Sequence, residues 1–173
     1  MTRSTDCSFE KFAKDLRGGD VLEKLRRGLI GEGATFKGPF GQQSLIYADY
    51  VASGRALRQI ENFVVEQILP FYANSHSEAS YCGWFITQMR ERAREIIAEQ
   101  CGSNEDYATI FSGSGATSGI NRLVHLLGVS DAVADGKKPL ILIGPYEHHS
   151  NILPWRESGA EVIEIGEAQD GGP

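Results

Sequence analysis

The 173-residue sequence has little of what membrane insertion, export or nucleic-acid binding require. No apolar run approaches the roughly 20 residues of a membrane span, and no signal peptide is recognisable. Basic residues are outnumbered, since 17 Lys and Arg face 23 Asp and Glu and give a formal net charge of −6. The sequence therefore predicts neither a membrane protein nor a partner for nucleic acid or anionic lipid.

Cysteine is also scarce. Cys7, Cys82 and Cys101 are odd in number and share no metal-ligand spacing. They are typical of reduced thiols, so we expect a cytoplasmic protein.

The spacing of apolar residues predicts the elements of the first 100 residues. The first 30 residues are predicted to form two short helices. A loop over 31–43 follows, whose glycines and proline argue against regular structure. We then expect a strand at 44–48 and helices over 56–69 and 81–100.

From residue 107 onward, strands and helices are predicted to alternate. The strands are expected at 107–111, 139–143 and 161–165, and the intervening helices near 118–128 and 148–157. Apolar strands separated by helices indicate parallel pairing. The predicted fold class is α/β, a parallel-rich sheet with helices on both faces, preceded by a helical N-terminal segment. Ligands of such sheets bind at the carboxyl ends of strands, so the polar stretches after the first two strands should share one rim.

The first polar stretch, SGSGATSG at 112–119, joins a strand to a helix. Its small residues allow a ligand close to the backbone, and the free amides and dipole of a helix N-terminus favour an anion, usually phosphate. Ser114 and Thr117 add hydroxyl donors. A glycine-rich turn with a Ser/Thr cap and no ligand fits the same pattern.

Three kinds of phosphate ligand compete for this turn. A nucleotide P-loop would need a lysine after the last glycine, and none follows. The dinucleotide fingerprint has Ser118 where its third glycine belongs, and its ribose-binding acid would be Asp135, in a turn-like loop before a strand. The third kind is a cofactor that carries a single phosphate, held by the helix N-terminus alone.

The second polar stretch, GPYEHHSN at 144–151, contains His148 and His149. Adjacent helical residues point roughly 100° apart, which disfavours chelation of one metal, and no metal site is predicted. Beside a bound phosphate, an imidazole can stack on an aromatic ring and move protons near neutral pH. Glu147 could orient it, and a histidine that only bonds to backbone at a helix start is the alternative.

EHHSNILPW followed by GAEVIEI closely resembles the class V aminotransferase and cysteine desulfurase family of pyridoxal-phosphate enzymes. SGATSGIN resembles the phosphate loop of that family, YADYVASGR its N-terminal segment, and YANSHSEASY its approach loop. The resemblance covers roughly residues 46–171, in the family's order and spacing.

This resemblance implies a fold-type-I enzyme that uses pyridoxal 5′-phosphate, acts on a small amino-acid substrate and forms a homodimer. It implies that Gly115, Ala116 and Thr117 hold the cofactor phosphate. It also implies that His148 stacks on the pyridine ring and acts as a catalytic acid or base.

The resemblance further places Asp49, Arg55 and His76 on the substrate side. The family's covalent lysine lies beyond the GAEV segment, and Lys137 and Lys138 sit in a loop that is typical of solvated residues. We therefore expect an N-terminal fragment that carries the phosphate cradle and the histidine but lacks the Schiff-base lysine.

The predicted organisation has three parts. Residues 1–45 form a helical extension and glycine-rich loop, 46–75 a strand and helix, and 76–173 the first part of a truncated cofactor-binding large domain. Two other functions stay open. One is a non-catalytic module that binds a phosphate-bearing ligand, and the less favoured one is a dinucleotide-dependent oxidoreductase domain.

Overall fold

A computed structural model of the chain describes residues 6–172, with side chains from Ser8 onward, so the side chain of Cys7 lies outside the described residues. Cys82 and Cys101 are free thiols. The chain divides into two compact units, one through Thr109 and one from Ile110 onward. The three-part organisation expected from the sequence stays a prediction.

The first unit opens with two helices and a hairpin: α1 (Asp6–Leu16), α2 (Val21–Gly28), β1 (Thr35–Gly38) and β2 (Gly41–Ser44). The two strands pair antiparallel, with Thr35 opposite Ser44. The expectation of an irregular loop over 31–43 is wrong, because Gly41 adopts a φ of 97° at the reversal and lets the chain pair with itself. The strand predicted at 44–48 is also wrong, since strand pairing ends at Ser44.

Two further helical stretches complete the first unit. Helix α3 (Arg58–Phe63) continues as a π-helical segment (Val64–Ile68) and a 3-10 turn (Leu69–Phe71), and α4 spans Tyr81–Gln100. The predicted helices over 56–69 and 81–100 are therefore confirmed. Phe85 and Met89 of α4 are buried, and the ring of Phe71 packs 5.1 Å from that of Phe85.

The second unit contains three helices, a 3-10 turn and one pair of strands: α5 (Gly115–Leu126), α6 (Val129–Ala134), β3 (Leu140–Ile143), the turn His149–Asn151, α7 (Leu153–Glu157) and β4 (Glu161–Glu164). Strands β3 and β4 pair in parallel, with Ile141 opposite Val162. The core lies between this pair and the helices and is built from Val124, Val129, Ile143 and Trp155.

The strand predicted at 107–111 does not form, because an extended segment needs a neighbour for its backbone hydrogen bonds. Within residues 6–172 the sheets are the β1–β2 hairpin and the β3–β4 pair. On one face of that pair, Leu142 and Ile163 are 58% and 44% exposed. The parallel-rich sheet covered on both faces is therefore not confirmed, and the fold is a mixture of helices and short sheets. No described helix combines the length and hydropathy of a membrane span.

Candidate functional site

The N-terminus of α5 follows a turn that only glycine adopts easily. Gly113 and Gly115 have φ values of 108° and 73°, in the left-handed region where a side chain is strained. Ser114 occupies the N-cap position, and its hydroxyl makes no capping hydrogen bond. Ala116 and Thr117 follow in the first helical turn and are exposed. The first-turn amides of α5 are therefore available to a ligand.

In two other helices of the chain, the N-cap side chain accepts a hydrogen bond from a first-turn amide of its own helix. The carboxylate of Asp20 accepts from the Glu23 amide at the start of α2, at 3.1 Å. The hydroxyl of Ser80 accepts from the Gly83 amide at the start of α4, also at 3.1 Å. Helix α5 has a serine at the same position and leaves it unused, which is the arrangement that an anion-binding helix needs.

Thr117 is held from within its own helix. Asn121 Nδ2 donates to the Thr117 carbonyl oxygen at 2.9 Å, one turn further along. This bond fixes the first turn of α5 without using the Thr117 hydroxyl, so the hydroxyl can also donate to a ligand.

His148 is the N-cap of the 3-10 turn that begins at His149. Its Nδ1 accepts from the Ser150 amide at 3.2 Å and lies 2.9 Å from the Ser150 hydroxyl. An amide can only donate, so a neutral His148 ring carries its proton on Nε2. The backbone bond expected of a helix-start histidine is present, and it leaves Nε2 for chemistry.

Glu147 does not orient His148. Its Oε2 accepts from Asn151 Nδ2 at 2.7 Å, and Asn151 Oδ1 accepts from the indole of Trp155 at 3.1 Å. Trp155 is 7% exposed and belongs to the core. The loop that carries His148 is thus tied to the core through side chains at i, i+4 and i+8, a helical spacing from which this chain of contacts could have been predicted.

The loops after β3 and β4 also touch each other. The hydroxyl of Tyr146 hydrogen-bonds the carboxylate of Glu167, and this bond, together with desolvation, raises the pKa of Tyr146 above 10.0, against an opposing backbone bond at Gly172. Helix α5 contacts the turn His149–Asn151. The polar stretches at 112–119 and 144–151 therefore lie on elements that pack together.

The predicted substrate-side residues Asp49 and Arg55 lie in the first unit. Asp49 is exposed. The Arg55 side chain is only 10% exposed, with Nη1 3.6 Å from Glu32 Oε2 and its guanidinium 5.4 Å from the ring centre of Tyr47. Arg55 thus has two partners inside its own unit.

His76, the third of these residues, sits on a strained backbone with a φ of 75°. Its Nε2 lies 2.8 Å from Arg90 Nη1, and its amide donates to Thr87 Oγ1 at 3.1 Å. Sequence reasoning missed Arg90, because 14 residues separate it from His76 and no periodicity links a loop to a side chain three turns into a helix.

Asp135 and Lys137 lie in the loop before β3. Their side chains are 70% and 71% exposed and approach each other to 3.9 Å. Asp135 thus precedes the amino end of β3, whereas a ribose-binding acid belongs at the carboxyl end of a strand. Nothing in this placement favours a dinucleotide.

Comparison with known proteins identifies the family of this chain. The family model described as aminotransferase class-V matches residues 46–171, and the chain belongs to this family.

Similar proteins carry the name cysteine desulfurase. A "Probable cysteine desulfurase" of Streptomyces coelicolor is 29% identical over 132 residues, which cover 73% of this chain and 31% of the relative. One of Pyrococcus abyssi is 29% identical over 114 residues, covering 66% and 27%. A cysteine desulfurase of Plasmodium falciparum is 29% identical over 119 residues, covering 66% and 20%. The chain thus spans less than a third of the length of these relatives.

Proposed function

We propose that this chain is part of a pyridoxal-phosphate-dependent enzyme of the fold-type-I class that acts on an amino acid, as an aminotransferase or a cysteine desulfurase. Its part in that enzyme is to hold the cofactor phosphate and to cover the pyridine ring with His148. Membership of the class-V family and the names of the relatives support the proposal. The covalent lysine, a homodimer and a cytoplasmic location belong to the proposal for the whole protein.

The observation that carries the proposal is the unused cap of α5. The amides of Gly115, Ala116 and Thr117 and the Thr117 hydroxyl would bind phosphate oxygens. The positive end of the helix dipole adds a favourable interaction with the dianion. The left-handed backbone of Gly113 and Gly115 lets the chain approach the phosphate without a side chain in the way.

His148 would present its ring to the pyridine and its Nε2 to the reacting atoms. Because the Ser150 amide donates to Nδ1, a neutral ring carries its hydrogen on Nε2 and would offer it as a hydrogen bond to the reacting atoms. In the imidazolium form, Nδ1–H would donate to the Ser150 hydroxyl instead, and Nε2–H would be the acid. The bound cofactor would supply an electron sink for the carbanion formed from the amino acid. The residues of this chain would bind the phosphate, orient the pyridine ring and move a proton.

Binding of pyridoxine 5′-phosphate, measured by its fluorescence, tests the phosphate site. This ligand has no aldehyde, so it cannot react with surface lysines. We expect saturable binding that pyridoxine, which lacks the phosphate, does not reproduce. T117A should weaken binding about tenfold, since a hydrogen bond to a charged group contributes about 1.5–3 kcal/mol.

The matched control is S130A, which removes another exposed hydroxyl, in the first turn of α6. It should bind as the unaltered chain does. Equal binding by T117A, or equal binding of pyridoxine, would contradict the phosphate assignment. Tight binding of a dinucleotide would instead favour an oxidoreductase domain.

A further inference from the structure

A cluster formed by Ser75, His76 and Arg90 lies in the first unit, outside the phosphate site. Arg90 Nη1 is 3.1 Å from Ser75 Oγ and 2.8 Å from His76 Nε2. A guanidinium has only donors, so His76 Nε2 must be the acceptor, and a neutral imidazole then carries its proton on Nδ1. This is the opposite tautomer to that of His148.

Within residues 6–172, the positive charge of Arg90 has no acidic partner. The side chain is half-buried, and its partners among the described residues are a hydroxyl and an imidazole, both neutral acceptors. Elsewhere on α4, Arg92 pairs with Glu95 and Glu99 and Arg94 pairs with Glu91. A guanidinium forms its strongest hydrogen bonds with a carboxylate or phosphate, which would supply the missing negative charge.

The backbone of the cluster is held in an unusual conformation. His76 is the one non-glycine residue of the described chain with a positive φ. Its amide donates to Thr87 Oγ1, and the Thr87 hydroxyl donates to the Gly83 carbonyl at 2.8 Å. Such strained residues persist where neighbours fix them, and they concentrate at ligand sites.

We propose that Ser75, His76 and Arg90 bind a carboxylate, with Arg90 providing the charge and fixing the imidazole so that Nδ1–H donates to the ligand. His76 is exposed, and no partner for its Nδ1 occurs within residues 6–172, so this hydrogen is free to donate. Identifying the carboxylate as that of an amino-acid substrate rests on the proposed function, whereas binding of a carboxylate at this cluster does not.

NMR of the 173-residue chain with ¹⁵N-labelled histidine tests the proposal. An H76Q variant assigns the ring signals among the four histidines. We expect the Nδ1–H tautomer for His76 and the Nε2–H tautomer for His148. Acetate should shift the His76 signals saturably at constant ionic strength, and acetamide, its neutral isostere, should not.

R90Q should raise the Nε2–H population of His76 and weaken acetate binding about tenfold. R92Q, which removes an arginine that already has acidic partners, is the matched control and should change neither. An Nε2–H tautomer of His76 in the unaltered chain would overturn the proposal, as would the absence of an acetate effect. A response to inorganic phosphate alone would show that the ligand class is wrong.

The two proposals fail separately. Loss of acetate binding in R90Q with normal pyridoxine 5′-phosphate binding supports the cluster. Failure of the cofactor ligand to bind, with the acetate response intact, leaves the cluster in place and removes its link to an amino-acid enzyme.

Discussion

Helices α4 and α5 both begin after a serine, but the serine caps the amide of the third helical residue only in α4. In α4 the amide of that residue, Gly83, is capped by Ser80. In α5 the third residue is Thr117, and Ser114 makes no side-chain bond to any amide of its helix. The two helices therefore have the same N-cap residue, but only α4 has a capping hydrogen bond from that residue's side chain.

The difference is in the surroundings of the two ends. Gly83 is buried against the Ser77 carbonyl oxygen, so the chain itself fills the space at the start of α4. At Gly115, no atom of the described residues lies within 4 Å of the place where a Cβ would stand. A helix end packed by its own loop has a structural role, and an end left open with free donors is suited to bind a ligand.

The largest effect on this comparison is expected from G83A. A methyl group at this position would collide with the Ser77 backbone, which cannot move aside as a flexible side chain can. Overpacking costs about 1–3 kcal/mol, against a helix gain of about 0.5–1 kcal/mol. Because a collision with fixed backbone belongs at the upper end of that range, urea unfolding should show a net loss of about 2 kcal/mol.

The matched control is G119A in α5, where the new methyl would lie 3.8 Å from Ser112 Oγ, an ordinary contact. This variant should be as stable as the unaltered chain or more stable by up to about 1 kcal/mol. If both alanines are tolerated equally, the start of α4 is not as tightly packed as described.

Removing the hydroxyls of the two N-cap serines should change the free energy of unfolding by different amounts, and both changes should be smaller than that of G83A. S80A removes a bonded cap and should cost about 1 kcal/mol of unfolding free energy. S114A removes a hydroxyl that makes no capping bond and should leave stability unchanged. Chemical denaturation of both variants measures the difference. An equal loss in S114A would mean that Ser114 caps α5 in solution and that its amides are not free.

Much of the helical structure could be predicted from the sequence, because helices depend on local periodicity. The helix at 81–100 has a long apolar repeat, and Ser80 caps it. The strand predicted at 107–111 is wrong, because strands do not depend on local pattern alone. An apolar segment is compatible with a strand, but the strand forms only if a neighbour supplies hydrogen bonds, and no local pattern encodes that neighbour.

The residues of the site could be predicted only in part. The glycines at 113 and 115 gave a clear signal, since their spacing before a helix is typical of phosphate loops, and the positive φ values agree with it. The role of Ser150 at His148 was not predicted, because the sequence does not specify which ring nitrogen is bonded. The contact of Arg90 with His76 joins a loop to a distant turn of a helix and follows from tertiary structure alone.

The smallest expected effect concerns the hydrogen bond between Tyr146, in the loop after β3, and Glu167, in the loop after β4. The hydrogen bond to Glu167 raises the pKa of Tyr146, so the folded state favours the protonated phenol. The stability that this bond adds is present below the ordinary value of 10.0 and is lost as the pH rises through the higher pKa of the folded chain. Y146F lacks both the bond and the titration, so its deficit in the free energy of urea unfolding should shrink above that pH.

The titration of Tyr146 can also be followed directly. The difference in tyrosinate absorbance between the unaltered chain and Y146F isolates this phenol among the six tyrosines, and E167Q should return its midpoint toward 10.0. A midpoint at or below 10.0 in the unaltered chain would mean that the loops after β3 and β4 are not bonded and that this part of the rim is as open as the start of α5.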